Sequence, residues 1–579
     1  MAEDLQQKLD ADLAVLIQDT FASVDESNVG RFFFASPKDP EHGDLACNAA
    51  MMLAKPEKTS PMVLAEKIAA SFRDWAAFSS VEVVKPGFIN VRLKTEALCG
   101  ELQRILGHKD DFSHSNVGAG RKVNIEYVSV NPTGPLHVGH ARGAIFGDAL
   151  SALLQRIGYH VTREYYINDA GVQVDVLARS AYGRYLEALG DTNQTFEAPL
   201  YPGDYLKPLG QALSTKYGTT YQDAPESQWL QIFRTEATDA MMTLIRSDLA
   251  ALGVVQDVFS SEQALVKSGA VEETLAEMHK RELVYRGVLE PPKGKKPDDW
   301  EPREQLLFRS SDYGDDIDRP LIKSDGSWSY FTPDITYHRD KLRREHDWLI
   351  NIFGADHIGY VKRLKAAVAA FSDVPLDILC CQIVRFVENG EPIRMSKRQG
   401  TFIALADLID AVGKDVVRLY LLGRKNDAHM DFDLELMRQQ SLDNPVFYIQ
   451  YAHARCYSAI RHAEAEFPEL PALDAETLVA KLSSSADHAL LCKLAEYPDM
   501  LRRAGHALEV HRVAIYLREL SKALHGFWNY GKDKAELRVV VRDDPMQTAA
   551  RCQLFAAVKL VLADGLALLG VTAVDELRG

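Results

Sequence analysis

At 579 residues the chain is too long for a single compact core, and at roughly 150 residues per domain it divides into about four segments. Apolar residues make up 46 % and charged residues 26 %, the balance of a globular protein, which excludes disordered, collagen-like and disulfide-scaffold classes. The formal charge of −16 weighs against nucleic acid as a partner, but it is uneven: residues 444–579 hold 16 Lys+Arg against 17 Asp+Glu, so the first 443 carry the other −15. A polyanionic partner therefore stays open.

No apolar run approaches the ~18–20 residues that span a bilayer. The opening Met-Ala-Glu-Asp-Leu-Gln-Gln lacks the basic-then-apolar pattern of an export signal. The seven cysteines are scattered, with no Cys-x-x-Cys spacing, and read as reduced, mostly buried thiols. A soluble, multidomain, cytoplasmic protein without a structural metal is expected, with no membrane partner.

Residues 1–115 mix helix and strand. Leu5, Leu9, Leu13, Leu16 and Ile17 mark a helical stripe, and Pro61–Phe72 predicts a second helix. Val81–Val84 and Gly87–Leu93 alternate like strands joined at Pro86-Gly87. Gly118-Ala119-Gly120 reads as a linker; a phosphate-cradling loop fails on spacing, since no Ser or Thr follows the lysine.

From Lys122 buried strands and helices alternate. Val123–Val128 predicts a strand that must end at Asn131-Pro132-Thr133-Gly134-Pro135. A helix from about Val138–Ala141 to Ile157 and a strand over His160–Ile167 follow. Strand–loop–helix–strand is the unit of a doubly wound, Rossmann-type parallel sheet. Residues 190–245 carry no strand signal and predict a helical insertion. Leu349–Gly354 and Ile378–Val384 fit further buried parallel strands. After 444 the pattern is helical: Asn444-Pro445 caps a helix bearing Val446, Ile449, Ala452, Cys456 and Ile460, and 486–505, 507–526 and 547–568 continue an all-α bundle.

The chemistry concentrates in two segments. In Leu136-His137-Val138-Gly139-His140 two imidazoles sit where a strand gives way to a helix, beside free N–H groups that suit phosphates. Gly139 would let a planar group lie against the backbone. Read alone, the pair is equally a set of turn histidines or two metal ligands. The second segment, Arg394-Met395-Ser396-Lys397-Arg398-Gln399-Gly400, offers a lysine on a Gly-rich basic loop, able to follow the β- and γ-phosphates of a departing pyrophosphate. Together, in this order on a split doubly wound sheet, they point to adenylate-forming chemistry rather than to a solvated charged loop.

On these residues the chain resembles the class I aminoacyl-tRNA synthetases, with His137-Val138-Gly139-His140 and Met395-Ser396-Lys397 matching the two signatures of that class. It is similar, over essentially its whole length, to the arginyl-tRNA synthetase family through Glu126…Asn131-Pro132, Tyr330-Phe331-Thr332-Pro333-Asp334 and Tyr451-Ala452-His453-Ala454-Arg455. It departs where Arg394 replaces the first signature lysine and Arg398 the final serine.

The resemblance implies ATP and Mg²⁺, L-arginine and tRNA(Arg) as partners, and a monomer. It places His137, His140 and Lys397 in catalysis. Gly139, Gly354, Asp356, Met395 and Ser396 would contact ATP, and Glu126, Asn131, Tyr330 and Asp334 arginine. Tyr451, His453 and Arg455 would meet tRNA. It implies a tRNA-binding amino-terminal α+β domain over 1–115, a catalytic domain over 116–390, a lysine-loop region over 391–443 and an anticodon-binding bundle over 444–579. Thr332-Pro333-Asp334 is expected to open a helix with Thr332 as cap, whose N–H groups keep Asp334 ionised for a guanidinium. The rivals are a small-molecule nucleotidyltransferase, in which the helical tail would be superfluous, and a tRNA-binding paralogue without catalysis, against which the intact His137, His140 and Lys397 count.

Overall fold

The computed structural model describes residues 3–37, 39–191, 200–289, 304–323, 326–388, 391–392, 404–439, 441 and 444–577. They form two compact units, residues 1–117 with 440–579, and residues 118–439.

The first unit joins the two ends of the chain. An antiparallel sheet runs Phe34–Ala35, Leu45–Cys47, Phe88–Leu93, Phe78–Val84, with Val84 opposite Phe88 across the tight turn. Helices Leu5–Thr20 and Pro61–Phe72 supply Leu9, Leu13, Ile17, Leu64, Ile68 and Phe72 to its core. Five helices follow in the carboxyl-terminal part: Pro445–Glu466, Ala475–Lys481, Ser485–His506, His511–Asp533 and Pro545–Leu568. The Asn444 side chain accepts from the Val446 N–H at 3.0 Å, the cap expected there. Charge joins the two ends: the buried Arg502 guanidinium grips Asp4 at 2.5 Å, and His488 Nε2 meets Asp44 Oδ2 at 3.1 Å.

The second unit is built on a five-stranded parallel sheet ordered Leu376–Cys381, Trp348–Gly354, Lys122–Glu126, His160–Ile167, Val258–Ser261. The first of these strands in the chain lies in the middle. The chain builds outward on one side through His160–Ile167 and Val258–Ser261, then returns to the other side with Trp348–Gly354. The connections from Lys122–Glu126 and from Trp348–Gly354 lead to neighbouring strands on opposite sides, and the crevice at such a switch point is where open α/β sheets bind ligands. Glu126 and Gly354 stand at that carboxyl edge.

Two local expectations change. The strand expected over Ile378–Val384 ends at Cys381, because the Gln382 N–H turns to the Asn426 carbonyl, and Val384–Glu388 joins a separate small sheet beside Met430–Asp433. Lys122–Glu126 is shorter than the expected strand, since Val128 and Ser129 adopt φ of 72° and 41°. For a β-branched valine that backbone is strained by about 1–3 kcal/mol, a cost found where a site needs it. Over the described part of 190–245, the chain forms the helix Lys207–Tyr217 and most of Glu226–Ala251.

Candidate functional site

The kink at Val128–Ser129 turns the Ser129 hydroxyl back onto the strand end. It donates to Glu126 Oε1 at 3.0 Å and accepts from the Tyr166 N–H at 3.0 Å. The loop then runs to His137, the N-cap of helix Val138–Arg156, and is held from below by Asp248, whose carboxylate accepts from the Leu136 N–H at 2.8 Å. His137 Nδ1 accepts from the Gly139 N–H at 3.1 Å, and the His137 N–H points to His140 Nδ1 at 3.3 Å. A backbone N–H can only donate, so both Nδ1 atoms are acceptors and each neutral ring carries its proton on Nε2. The pair thus presents two Nε2–H donors. Gly139 has a nearer reason than the one expected: a Cβ there would fall 2.9 Å from the His137 ring and break the cap.

Met395, Ser396 and Lys397, with Arg394 and Arg398, lie outside the described residues. The chain that emerges from their segment is anchored at the same loop, with Ala404 bridging His137 and the Leu405 N–H on the Leu136 carbonyl at 3.0 Å. Gly354 ends its strand, and the Asp356 carboxylate beyond it is exposed, 3.5 Å from His357 Nε2. Asn131 is exposed and donates to Gln173 Oε1 at 2.7 Å.

Asp334 behaves differently from the expectation. The helix begins at Phe331 with Tyr330 at the cap position. Thr332 lies inside it, buried, its hydroxyl donating to the Leu321 carbonyl at 2.7 Å, so it caps nothing. Asp334 lies in the first turn, yet its carboxyl is enclosed, and burial raises it to about 7. Tyr360 donates its hydroxyl to Asp334 Oδ2 and lowers it; Glu262 and Glu126 raise it, and Lys341 lowers it. Desolvation outweighs the helix end. Tyr330, by contrast, is 78 % exposed with the Lys323 ammonium 4.6 Å from its ring, so it stands outside this enclosure.

Three further groups enclose the site: Glu262 and Tyr360, which sequence reasoning missed, and Asp169, which it places near the site at a strand end without a role. Glu262 opens the helix Glu262–Lys267 and is raised to about 7 by burial and by Asp169, against Arg234. Asp169 sets that helix start, accepting from Ser261 Oγ at 2.6 Å and from the Gln263 N–H at 2.7 Å. Tyr360 comes from the turn after Gly354. The Tyr166 hydroxyl is buried with no hydrogen-bond partner among the described residues, under the influence of Asp334, Glu262, Glu126 and Asp169. A carboxylate-rich enclosure with an unsatisfied hydroxyl suits a polyvalent cationic donor such as a guanidinium. The only signals in the sequence were Asn168-Asp169 at a strand end and a serine before Glu262, and neither is specific.

In the first unit, His453 of helix Pro445–Glu466 is 3 % exposed, its Nδ1 2.8 Å from the Val574 carbonyl. Arg455 is partly exposed, donating to the Tyr451 hydroxyl at 2.6 Å and lying over the Tyr451 and Trp528 rings at 4.4 and 4.9 Å. Asp44, His488 and Cys492 are the one group of three metal-ligating side chains among the described residues, and they bond to one another through the Asp44 carboxylate.

A doubly wound sheet with the His137–His140 pair at its switch point is the catalytic architecture of the class I aminoacyl-tRNA synthetases. Residues 101–201 match the family model for the catalytic domain of class I (R) tRNA synthetases, 5–93 that for the arginyl-tRNA synthetase N-terminal domain, and 449–577 that for the DALR anticodon-binding domain. The arginine–tRNA ligase of Roseobacter denitrificans is 54 % identical, covering 94 % of each chain, and that of Paracoccus denitrificans 51 %, covering 96 % of each. The fold is shared with Thermus thermophilus arginyl-tRNA synthetase, with a TM-score of 0.73 at 19 % identity over 99 % of this chain and all of the other. The chain belongs to the arginine–tRNA ligase family.

Proposed function

We propose that the chain charges tRNA(Arg) with L-arginine in two balanced steps at the carboxyl edge of the parallel sheet. An oxygen of the arginine carboxylate attacks the α-phosphorus of ATP, the bond to the β-phosphate oxygen breaks, and pyrophosphate leaves arginyl-adenylate. The 2′-hydroxyl of the terminal adenosine then attacks the acyl carbon, yielding arginyl-tRNA and AMP. The observation that carries this reading is the pairing, on one sheet edge, of two Nε2–H donors with an enclosure of carboxylates.

His137 and His140 aim hydrogen-bond donors at phosphate oxygens as charge builds on them. Lys397 neutralises the departing pyrophosphate, and Met395 and Ser396 hold its loop against the nucleotide. Gly139 leaves the backbone open to adenine, while Gly354 and Asp356 meet the ribose. Asp334, Glu262 and Glu126 take the guanidinium, and Asn131 the α-amino end. Tyr330, one turn ahead of Asp334, offers its exposed ring to arginine from outside the enclosure. Mg²⁺ would enter with the ATP phosphates, held by phosphate and water, since the imidazoles and Asp356, the one carboxylate assigned to the nucleotide side, are not an oxygen cage. Tyr451 and Arg455 offer a stacking and charged face to RNA, and the buried His453 supports their helix. Free thiols throughout the described chain fit a cytoplasmic enzyme.

The test is exchange of labelled pyrophosphate into ATP, with each amino acid in turn, with and without tRNA(Arg). Exchange with arginine alone among the amino acids is expected. A requirement for tRNA would make the RNA part of the competent site. Silence under both conditions, with folded protein and Mg²⁺, would defeat the reading.

A further inference from the structure

Lys341 lies on the helix Phe331–Arg343 with its side chain wholly buried. Its ammonium has three protons and three partners: Glu126 Oε2 at 2.6 Å, Asn351 Oδ1 at 3.1 Å and the face of the Tyr337 ring at 4.5 Å. Nothing is left over to reach a substrate. The fold does not demand a lysine here, because a buried ion pair is commonly replaceable by apolar groups without loss of stability. Its presence needs another account.

The hydrogen bonds run on from it in one direction. Lysine can only donate, so Asn351 must turn its oxygen to Lys341 and its NH₂ to His338 Nε2, which lies at 2.8 Å. His338 Nε2 is then the acceptor, and Nδ1–H donates to the Asp334 carbonyl at 2.8 Å. Burial, with Lys341 next, lowers His338 to about 3, so the ring stays neutral and the polarity of the chain holds. Glu126 on the first strand and Asp334 on the helix are thereby tied through Lys341, Asn351 and His338. Asn351 sits opposite Glu126 in the sheet register, on the two strands that flank the switch point.

We propose that Lys341 is a positioning residue for arginine recognition, acting through Glu126. It and Ser129 each occupy one lone-pair direction on the two Glu126 oxygens and so decide which directions remain for the ligand. Of the four carboxylates around the enclosure, Glu126, Glu262, Asp334 and Asp169, its charge offsets one and Arg234 another, leaving the enclosure short of a cation that a guanidinium supplies. The proposal rests on the assignment of Glu126 and Asp334 to the arginine pocket.

The full chain is assayed by arginine-dependent pyrophosphate exchange with tRNA(Arg) present, comparing wild type, E126Q, K341M and the double variant E126Q/K341M. K341M is expected to raise KM for arginine tenfold or more and to leave KM for ATP within threefold. The double variant should be no worse for arginine than E126Q, since a residue that acts through Glu126 has nothing further to lose once Glu126 is neutral. K341M with KM for arginine within threefold of wild type, equal losses toward ATP and arginine, or losses that multiply in the double variant would each overturn the proposal. If K341M does not fold, the double variant, which buries no unpaired charge, carries the test: matching E126Q supports the proposal, and failing to fold overturns it. E126Q with unchanged KM for arginine overturns the pocket assignment itself, an outcome separate from a failure confined to K341M.

Discussion

His137 and His140 lie face to face, their ring centroids 3.6 Å apart and their planes 24° from parallel. The two backbone N–H groups that engage the Nδ1 atoms fix both rings in the same tautomer, so the stack delivers two parallel donors rather than one donor and one acceptor. Phosphate oxygens can take both.

Replacing either histidine by alanine removes one donor aimed at the charge that develops on phosphorus. Loss of one such donor costs about 10²–10³ in rate. H137A and H140A should therefore lower kcat for pyrophosphate exchange by about that factor, with KM for arginine within threefold of wild type. A fall in arginine affinity instead would place the histidines in the amino-acid pocket.

Arginine binding should depend on pH. With Asp334 and Glu262 each raised to about 7, the empty pocket is largely protonated at pH 6, and a guanidinium selects the ionised form. Affinity for arginine should rise steeply between pH 6 and 7 and level off above pH 8. Stability runs the other way without ligand. Because these two folded-state values exceed those of unfolded carboxyls near 4, the native state holds extra protons, and their contribution to stability is lost as pH rises from about 4 to 7. Arginine should accordingly raise Tm more at pH 8 than at pH 6. Equal shifts at both would sink the idea.

Asp334 and its partner can be separated. D334N removes one of the carboxylates offered to a buried guanidinium, a loss of about 2–5 kcal/mol, or roughly 30- to 5,000-fold in kcat/KM for arginine. Y360F removes only the hydroxyl that stabilises the ionised carboxyl. It should move the pH midpoint of arginine affinity upward while kcat at pH 9 stays near wild type. A midpoint that does not move would show the Tyr360 contact to be structural.

Gly147 tests how the signature helix seats on the sheet. A Cβ there would fall 2.3 Å from the buried Tyr127 ring, which cannot yield. The overpacking penalty of about 1–3 kcal/mol exceeds the ~1 kcal/mol that alanine gains over glycine in a helix. G147A should lower Tm by several degrees in thermal unfolding. An unchanged or higher Tm would mean that the helix can shift without cost.

What the sequence determined by itself was local: strands and helices by their periods, the Asn444 cap, the break at Asn131–Pro135, and the His137–His140 signature at a strand-to-helix junction. Each depends on residues a few positions apart, which a reader of the chain can see. Tertiary structure decided the state of Asp334. Helix-end chemistry argued for an ionised group, but the electrostatics of that carboxyl are set by burial and by Glu126, Glu262, Tyr360 and Lys341, drawn from distant segments. Glu262 and Lys341 carry no mark in the sequence for the same reason. Desolvation and charge coupling act across space, and sequence spacing carries no record of them until the strands are placed side by side.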